Sequence, residues 1–335
     1  MKNPISGLTP ELKKKVKKTP MPSWVQPMLA TLTKDYFSDP NWLFEEKFDG
    51  IRILAFCKGK SVTLFSRNKI SQNDTYPEVV QALQKLNVHC ILDGEVVAFT
   101  KNKVTSFEKL QKRLMAIDLE SALKNNVSVF YYVFDMMYLD GYDITQLPLL
   151  ERKELLKQLI TAQSIVRFTA HKNEKGTALR LAACKKGWEG IMGKKADSTY
   201  QHKRSRDWLK FKCINEQELV IGGYTDPQGM RDGFGALLIG YFAKNEFLYA
   251  GKVGTGYSEA TIKLLYGKLK KLESKKCYFK DDESLPTKNV HWVKPQLVAQ
   301  IGFMEWTSHN KLRHARYLGL RTDKKAKEVV REVPQ

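Results

Sequence analysis

The stretch Lys47-Phe48-Asp49-Gly50, followed by Arg52, is the most informative part of this 335-residue sequence. Lys47 suits the role of a nucleophilic amine. Gly50 follows three residues later and lets the backbone approach a bound ligand closely. The amine attacks only after losing its proton, and burial beside Phe48 with cations nearby lowers a lysine pKa. Alone the string is weak, since a surface lysine before a hairpin turn has the same sequence.

Further motifs follow Lys47 in an order that strengthens this hypothesis. They carry carboxylates, aromatic side chains and cations, and they are Ser66-Arg67-Asn68, Leu92-Asp93-Gly94-Glu95, Phe134-Asp135, Glu189-Gly190 with Lys194, Trp208-Leu209-Lys210-Phe211-Lys212 and Arg321-Thr322-Asp323-Lys324. Together they predict an amine that attacks a nucleotide α-phosphate, carboxylates that hold a metal and cations that bind phosphates. We therefore interpret Lys47 as the catalytic residue.

Composition indicates a folded protein with a polyanionic partner rather than a membrane protein. Hydrophobic residues make up 42% of the chain, which suffices for real cores, and the net charge of +20 favours a polyanionic partner. The sequence has neither a signal-type apolar N-terminus nor an apolar run long enough to span a bilayer. We expect a cytoplasmic, nucleoid-associated protein that makes no use of a membrane. Five widely spaced cysteines predict reduced thiols and no zinc site.

The order of the predicted elements indicates an α+β protein of two domains. We expect a basic extension over residues 1–24, a first domain over residues 25–214 and a second over residues 215–335. The first domain shows short strands from Trp42 to Phe99, with Asp93-Gly94 as a turn between two of them. About five short strands and one helix in the last part predict a small β-barrel.

Helical periodicity and a long apolar run define the remaining elements. The predicted helices span Pro77–Leu86, Phe107–Leu123, Pro148–Ile160, Thr177–Lys186 and Ser258–Leu272. Val127–Leu139 reads as a buried strand, because it is apolar and aromatic almost throughout.

Glu45 and Phe134 are the candidates for contact with a nucleotide base. Glu45 lies two residues before Lys47, so both side chains leave the same face of a strand. A carboxylate there accepts a hydrogen bond from the exocyclic amine of adenine, whereas guanine presents an acceptor at that position. This favours ATP over GTP. Phe134 can stack on a purine, although most aromatic residues in such runs belong to a core.

Carboxylates and cations complete the predicted site. Glu95 and Glu189 are the metal candidates, because Mg²⁺ prefers one or two carboxylates together with water and phosphate oxygens, and Mn²⁺ is a substitute. Glu95 is also a candidate for the ribose hydroxyls. Cations that suit phosphate oxygens are Arg52, Arg67, Lys194, Arg204, Lys210 and Lys212, with Arg321 and Lys324 for the β- and γ-phosphates.

These residues together resemble the ATP-dependent DNA ligases, which belong to the covalent nucleotidyltransferase superfamily with RNA ligases and capping enzymes. The resemblance covers roughly residues 25–330 and is strongest to the ligase domain of bacterial end-joining polymerase-ligases. The segments that resemble members of that branch are Leu219-Val220-Ile221-Gly222-Gly223-Tyr224, Gly233-Phe234-Gly235-Ala236-Leu237-Leu238, Gly251-Lys252-Val253-Gly254-Thr255-Gly256 and Leu318-Gly319-Leu320-Arg321.

The resemblance implies an adenylation domain of antiparallel sheets with flanking helices, followed by an OB-fold β-barrel. It implies that Lys47 takes AMP from ATP, that AMP passes to a 5′-phosphate, and that a 3′-hydroxyl displaces it. The implied pocket contains Glu45, Lys47, Arg52, Arg67, Glu95, Phe134, Glu189, Lys194, Lys210 and Lys212. Arg204 would lie near the 5′-phosphate side, and Arg321, Asp323 and Lys324 would belong to the last motif of the OB-fold domain.

The resemblance implies nicked double-stranded DNA as the partner and a Ku-like end-joining protein as a second one. It also implies that the enzyme is a monomer. Two positions depart from the family pattern, Ala315 and Gly193, and neither removes a reacting group. An RNA ligase or capping guanylyltransferase remains an alternative, because the lysine chemistry is the same. A catalytically silent OB-fold nucleic-acid binder is a third, and loss of Lys47, Glu95 or Lys210 would be its mark. The absence of a four-cysteine module disfavours an NAD-dependent ligase.

Overall fold

A computed structural model of the chain describes residues 5–114, 127–160, 165–213, 215–227 and 233–333. The chain forms two compact units, one ending at Cys213 and the other running from residue 214 to Val333. Strands dominate both units and helices are few, which agrees with the predicted α+β class. None of the described helices has the length and apolar composition that a membrane crossing requires.

The first unit contains two sheets. Its strands are β1 (Lys17–Lys18), β2 (Leu29–Leu32), β3 (Trp42–Lys47), β4 (Ile51–Gly59), β5 (Ser61–Ser66), β6 (Val88–Ala98), β7 (Val129–Leu139), β8 (Tyr142–Asp143), β9 (Val166–Phe168), β10 (His171–Asn173), β11 (Gly190–Lys195) and β12 (Arg204–Lys212). One sheet has the order β1-β8-β7-β6-β4-β5, with β9 beside β7, and the other has the order β10-β3-β11-β12-β2. Most pairs are antiparallel; β12–β2 and β7–β9 are parallel.

The described residues of the first unit form five helices that pack around these sheets. They are α1 (Pro10–Lys14), α2 (Pro77–Gln84), α3 (Phe107–Leu114), α4 (Leu149–Leu159) and α5 (Gly176–Lys185). The predicted helices at Pro77, Pro148 and Thr177 are confirmed to within one or two residues at each end. The predicted helix from Phe107 is confirmed as far as Leu114, and residues 115–123 lie outside the described residues.

The N-terminal residues are part of the first unit and not an extension from it. Ile5 and Leu8 are buried in the same core as the central strands β4 and β6. β1 pairs with β8, and the Thr19 amide donates to the Gly141 carbonyl at 3.0 Å. The expectation of a separate basic segment failed because two apolar residues sufficed to anchor it, whereas the lysine cluster dominates its composition.

Asp93-Gly94 lies inside β6 and not in a turn, so that part of the prediction is wrong. The strand continues through both residues, with one register shift between Asp93 and Gly94 and another between Ile91 and Leu92. A Cβ on Gly94 would lie 2.5 Å from the Tyr131 ring and from the Tyr132 carbonyl oxygen, so glycine permits close packing of β6 against β7. The Asp93 carboxylate is satisfied by side chains from other elements, which removes the usual reason for an Asp-Gly turn.

In its described residues the second unit has one main sheet, one α-helix and a short 3-10 helix at Ala326–Glu328. Its strands are β13 (Asn215–Thr225), β14 (Leu237–Ala243), β15 (Glu246–Val253), β16 (Glu273–Ser274), β17 (Val290–Val293), β18 (Val298–Phe303), β19 (Glu305–Trp306), β20 (Leu312–Arg313) and β21 (Arg316–Leu320), and the helix is α6 (Glu259–Lys271). β13 pairs with β14, β17 and β18, and β18 pairs with β21. The predicted strand from Trp292 to Gly302 is two strands.

The predicted β-barrel is not closed in the described parts of the chain, because their paired strands do not form a complete ring. β15 and β21 stand at two ends of the pairing order. They approach through one loop, where the Tyr317 amide donates to the Thr255 carbonyl at 3.0 Å.

The cysteines differ from the expectation of reduced thiols. Cys184 of α5 and Cys213 after β12 form a disulfide, with their Cα atoms 5.2 Å apart. Their separation of 29 residues concealed the pairing, since the hairpin-like return of β11 and β12 brings the two positions together. Cys57, Cys90 and Cys277 are free.

A fully buried ion pair links α4 to β7 in the first unit. Arg152 donates to both carboxylate oxygens of Asp135 at 2.8 and 2.9 Å, and its third nitrogen donates to the Leu147 and Ser198 carbonyls. Both side chains are inaccessible to solvent. Removing one partner of such a pair leaves a buried charge without compensation.

We expect Asp135→Ala to lower the free energy of unfolding of the first unit by about 3–5 kcal/mol. Urea denaturation followed by tryptophan fluorescence measures this. The matched control is Asp197→Ala, which breaks the exposed Lys195–Asp197 contact and should cost about 1 kcal/mol or less. Equal losses for the two variants would contradict the importance of burial.

Candidate active site

Three neighbouring strands bring four of the predicted site residues, Glu45, Lys47, Lys210 and Lys212, to one face of the five-stranded sheet. Lys47 on β3 is opposite Gly190 on β11, which is opposite Lys212 on β12. Two residues along, Glu45, Met192 and Lys210 form the next row. Side chains directly opposite each other on paired strands share a face. Residues that are far apart in sequence therefore line a single surface.

Lys47 lies where the chain crosses from one sheet to the other, because β3 and β4 belong to different sheets. The hairpin reading of Asp49-Gly50 is therefore wrong. The Asp49 carboxylate accepts from the Phe107 amide at 2.9 Å, which fixes the crossing to the start of α3. A Cβ on Gly50 would lie 2.2 Å from the Val96 carbonyl oxygen, so glycine is required for packing on β6.

The amine of Lys47 contacts the carboxylate of Glu189 in an ion pair. Their side chains are 17% and 7% exposed, so the pair is largely buried and Lys47 still reaches solvent. Glu189 directly precedes β11, and its backbone carbonyl accepts from the Cys213 amide at 2.9 Å. This backbone hydrogen bond with Cys213 helps to fix the position of Glu189 beside Lys47.

Glu45 is buried between two lysines. Its Oε1 atom lies 2.5 Å from the Lys153 amine, and its Oε2 atom lies 2.6 Å from the Lys194 amine. Burial by itself raises the pKa of Glu45, but the Lys153 and Lys194 ammonium groups bring that pKa below its ordinary value. Burial lowers the pKa of Lys194, and Glu45 opposes that effect. Glu45 is therefore held as a carboxylate.

Phe134 lies beside this charge cluster. Its ring centroid is 4.1 Å from the Lys194 amine, and its ring meets that of Trp208 edge-on at 6.0 Å. Met192 and Phe134 both pack against the edge of the same apolar cluster. An aromatic face bordered by cations suits a purine base.

Arg52 is held by a buried network on the opposite sheet. It donates to both Asp93 oxygens at 2.9 and 2.6 Å and to the Met28 carbonyl at 2.7 Å. The Tyr200 hydroxyl donates to Asp93 at 2.7 Å. Burial raises the pKa of Tyr200, and Asp93 raises it further. Arg52 therefore has a fixed orientation, and Glu95 is its direct cross-strand neighbour.

The remaining predicted cations occupy different positions. Lys210 and Lys212 are partly buried on β12, two residues apart. Arg67 follows β5, and Arg204 at the start of β12 donates to the Ala30 carbonyl. In the second unit Arg321 donates to both Asp323 oxygens at 2.9 Å, and the Lys324 amine lies 3.1 Å from Glu218. These partners fix the orientation of the last motif within its own unit.

Sequence reasoning missed Lys153, Asp93, Tyr200 and Arg152 as parts of this site. Asp93 was inside a quoted motif, but it was interpreted through its neighbour Glu95. Lys153 lies in an amphipathic helix, where lysine is ordinarily a surface residue. The dipeptide Arg152-Lys153 gives no signal of burial by itself, because consecutive residues are only about 100° apart on a helix and both can face solvent.

Comparison with known proteins identifies the family. The description "ATP dependent DNA ligase domain" matches residues 27–212, and "ATP dependent DNA ligase C terminal region" matches residues 230–324. The first match alone covers more than half of the chain. The chain therefore belongs to the ATP-dependent DNA ligase family.

Individual relatives point to one branch of that family. The chain is 35% identical over 324 residues to the multifunctional non-homologous end joining protein LigD of Pseudomonas aeruginosa, covering 95% of this chain and 38% of that protein. It is 36% identical over 315 residues to the corresponding Mycobacterium tuberculosis H37Rv DNA repair protein, covering 91% and 40%. The chain thus spans about two fifths of the length of these relatives.

A solved structure agrees with this placement. The structure described as mycobacterial DNA ligase D complexed with ATP and MES is 34% identical, with a TM-score of 0.67. The match covers 92% of this chain and 98% of that one.

Glu46 lies on the opposite face of β3 from Glu45 and Lys47. Its protonation is coupled to folding. Burial raises its pKa to about 7, and Lys186 only partly opposes the effect. Its Oε1 atom is buried without a hydrogen-bond partner in the part of the chain described. A carboxyl whose pKa is higher in the folded state stabilises the fold below its ordinary pKa of 4.5, and this contribution is lost as pH rises through 7.

We expect Glu46→Gln to be more stable than the unmodified protein at pH 8.5, by about 1 kcal/mol after allowing for partial exposure. That difference corresponds to about 2–4 °C in Tm, and it should shrink at pH 5.5. Thermal melts at both pH values measure it. Glu154→Gln, on the exposed side of α4, should leave the pH dependence unchanged. A Glu46→Gln gain that is equal at both pH values would contradict the assignment.

Proposed function

We propose that this chain seals nicks with a 5′-phosphate and a 3′-hydroxyl in duplex DNA through a covalent Lys47–AMP intermediate. One observation carries the proposal: the Lys47 amine is largely buried beside Glu189, on the face of the sheet that also carries Glu45, Lys210 and Lys212. Family membership supports the reaction type, and the fixed crossing at residues 48–50 explains why the amine has a single location.

In the first step the uncharged Lys47 nitrogen attacks the α-phosphorus of ATP. A phosphorus–nitrogen bond forms, the bond to the bridging oxygen of pyrophosphate breaks, and the amine loses a proton. Glu189, in contact with the amine, is the nearest candidate to accept that proton. AMP then passes to the DNA 5′-phosphate, and the 3′-hydroxyl displaces it with formation of the phosphodiester.

Cations on the same face of the sheet as Lys47 suit the negative charge of the phosphates that react in these steps. Lys210 and Lys212 alternate along β12 and point the same way, so they can bind adjacent phosphate oxygens. Arg52, held by Asp93, and Arg67 remain candidates for the same task. We retain Arg204 as a candidate for the 5′-phosphate side.

Glu95 and Glu189 would hold Mg²⁺, with Mn²⁺ as a substitute. Carboxylate oxygens are the donors these ions prefer. Glu189 is nearly buried beside Lys47 and Glu95 is partly exposed beside Arg52, and each offers carboxylate oxygens to an ion that phosphate and water would complete. When bound, the ion would neutralise phosphate charge.

The second unit is proposed to be the OB-fold domain, with residues 25–214 as the adenylation domain before it. The central position of β13, which pairs with three other strands, supports a Greek-key barrel. Arg321 and Lys324 would then contact the β- and γ-phosphates. Burial alone raises the pKa of Asp323, but Arg321 brings that pKa below its ordinary value, so Asp323 stays ionised and orients the guanidinium.

Double-strand break repair with a Ku-like partner is the proposed context. The relatives' names refer to non-homologous end joining, and this chain corresponds to about two fifths of them. An RNA ligase or a capping guanylyltransferase uses the same lysine. Parallel assays on nicked DNA, nicked RNA and labelled GTP separate the three.

We expect Lys47→Ala to abolish transfer of label from ATP carrying ³²P at the α-phosphate, because no other group replaces the nucleophile. The protein is incubated with label and Mg²⁺, and retained counts are measured after denaturing electrophoresis. Lys172→Ala, an exposed lysine on the neighbouring strand β10, is the control and should label normally. An unmodified protein that never labels, or a Lys47→Ala variant that does, would defeat the proposal.

Nicked-duplex affinity should fall steeply with salt, by about 100-fold or more between 50 and 200 mM, because binding releases counterions from the phosphates. Fluorescence anisotropy with a labelled nicked duplex measures this. Thermal melts at both salt concentrations confirm that the protein remains folded. A flat response would show that the net charge of +20 has no part in DNA binding.

A further inference from the structure

Lys153 is a buried lysine that contacts both Glu45 and the backbone of Phe134. Its side chain is fully buried, on a helix whose neighbouring lysine, Lys157, is exposed. An ammonium group has three donors. Those of Lys153 are directed at Glu45 Oε1 at 2.5 Å, the Thr169 carbonyl at 3.0 Å and the Phe134 carbonyl at 3.5 Å.

These contacts join the two sides of the base-binding region. Phe134, the stacking candidate, belongs to β7 of one sheet, whereas Glu45 belongs to β3 of the other. Lys153 binds the backbone of the first and the carboxylate of the second. It therefore fixes the carboxylate with respect to the aromatic ring. Lys194 supplies a second link, 2.6 Å from Glu45 and 4.1 Å from the ring centroid.

The protonation state of Glu45 decides what the carboxyl can recognise. An ionised carboxylate only accepts hydrogen bonds, so it selects a base with an amino group and rejects one with an oxo group at the same position. A protonated carboxyl both donates and accepts, and it tolerates either base. Burial favours the protonated form, and the Lys153 ammonium is the largest influence in the opposite direction.

We infer that Lys153 is a positioning residue for base selection: it holds Glu45 as an oriented acceptor at the edge of a purine stacked on Phe134. Both carboxylate oxygens retain lone pairs after binding the two lysines, since a carboxylate offers about four acceptor sites. The ligand class is a 6-aminopurine nucleotide. This inference rests on the proposed adenylation of Lys47, and it adds a residue that acts through Glu45 and does not touch the reacting atoms.

The test is nucleotide preference in the first step. Rates of covalent labelling are measured with α-³²P-labelled ATP and with α-³²P-labelled ITP, which carries an oxo group in place of the 6-amino group. We expect Lys153→Met to lower the ATP-to-ITP preference about tenfold, as for the loss of one oriented hydrogen bond to a substrate. Lys157→Met, exposed on the same helix, should retain the preference.

A double variant shows whether Lys153 acts through Glu45. Glu45→Gln should lower the preference by a similar factor, and Glu45→Gln/Lys153→Met should match Glu45→Gln alone. The two rates are compared within one preparation, so a reduced folded fraction cancels. If Lys153→Met yields no folded protein, the double variant, which removes both charges together, carries the test.

Two results would overturn the inference. One is an equal fall of both rates in Lys153→Met, with the preference unchanged, which would mean that the lysine only maintains structure. The other is a double variant whose loss is the product of the single losses, which would mean that Lys153 acts independently of Glu45. Failure of the unmodified protein to label with ATP at all would instead refute the proposed function.

Discussion

The crossing of the chain between two sheets at residues 48–50 is the constraint on which the site depends. β3 ends at Lys47 in one sheet and β4 begins at Ile51 in the other. The crossing is tight, since Gly50 packs directly on the Val96 carbonyl and Asp49 caps the start of α3. A lysine at the end of β3 therefore projects at the junction of the two sheets, where residues from both can reach it.

Buried ion pairs then fix what surrounds that lysine. Arg52–Asp93 lies within one sheet, whereas Arg152 and Lys153 link α4 to Asp135 and Glu45 on strands, and Lys194 also contacts Glu45. Such pairs contribute little net stability relative to apolar residues of the same shape, because desolvation opposes the attraction. Their value here is orientation: the arginines and Lys153 donate to acceptors that fix one geometry. A pocket for a charged, hydrogen-bonding nucleotide requires that kind of order.

Much of the fold and the chemistry was predictable because the signals are local. Helical periodicity located the helices beginning near Pro77, Pro148 and Gly176, and the apolar run before Leu139 identified β7. The order of the motifs around Lys47, Glu189 and Lys210 indicated the family, which the comparisons confirm. Predictions failed where a distant partner changes the meaning of a local pattern. Gly94 continues a strand because Tyr131 packs on it, and Cys184 pairs with Cys213 because two strands return the chain.

An amine, carboxylates and alternating cations could be identified from the residue order alone, since chemical identity and strand periodicity depend on neighbouring residues. Which of these groups meet depends on how distant segments pack. It placed Glu189 against Lys47, and it brought Lys153 from a helix more than a hundred residues downstream into contact with Glu45. The physical reason is that burial and pairing depend on contacts between distant segments, and these set the charge and orientation of each group.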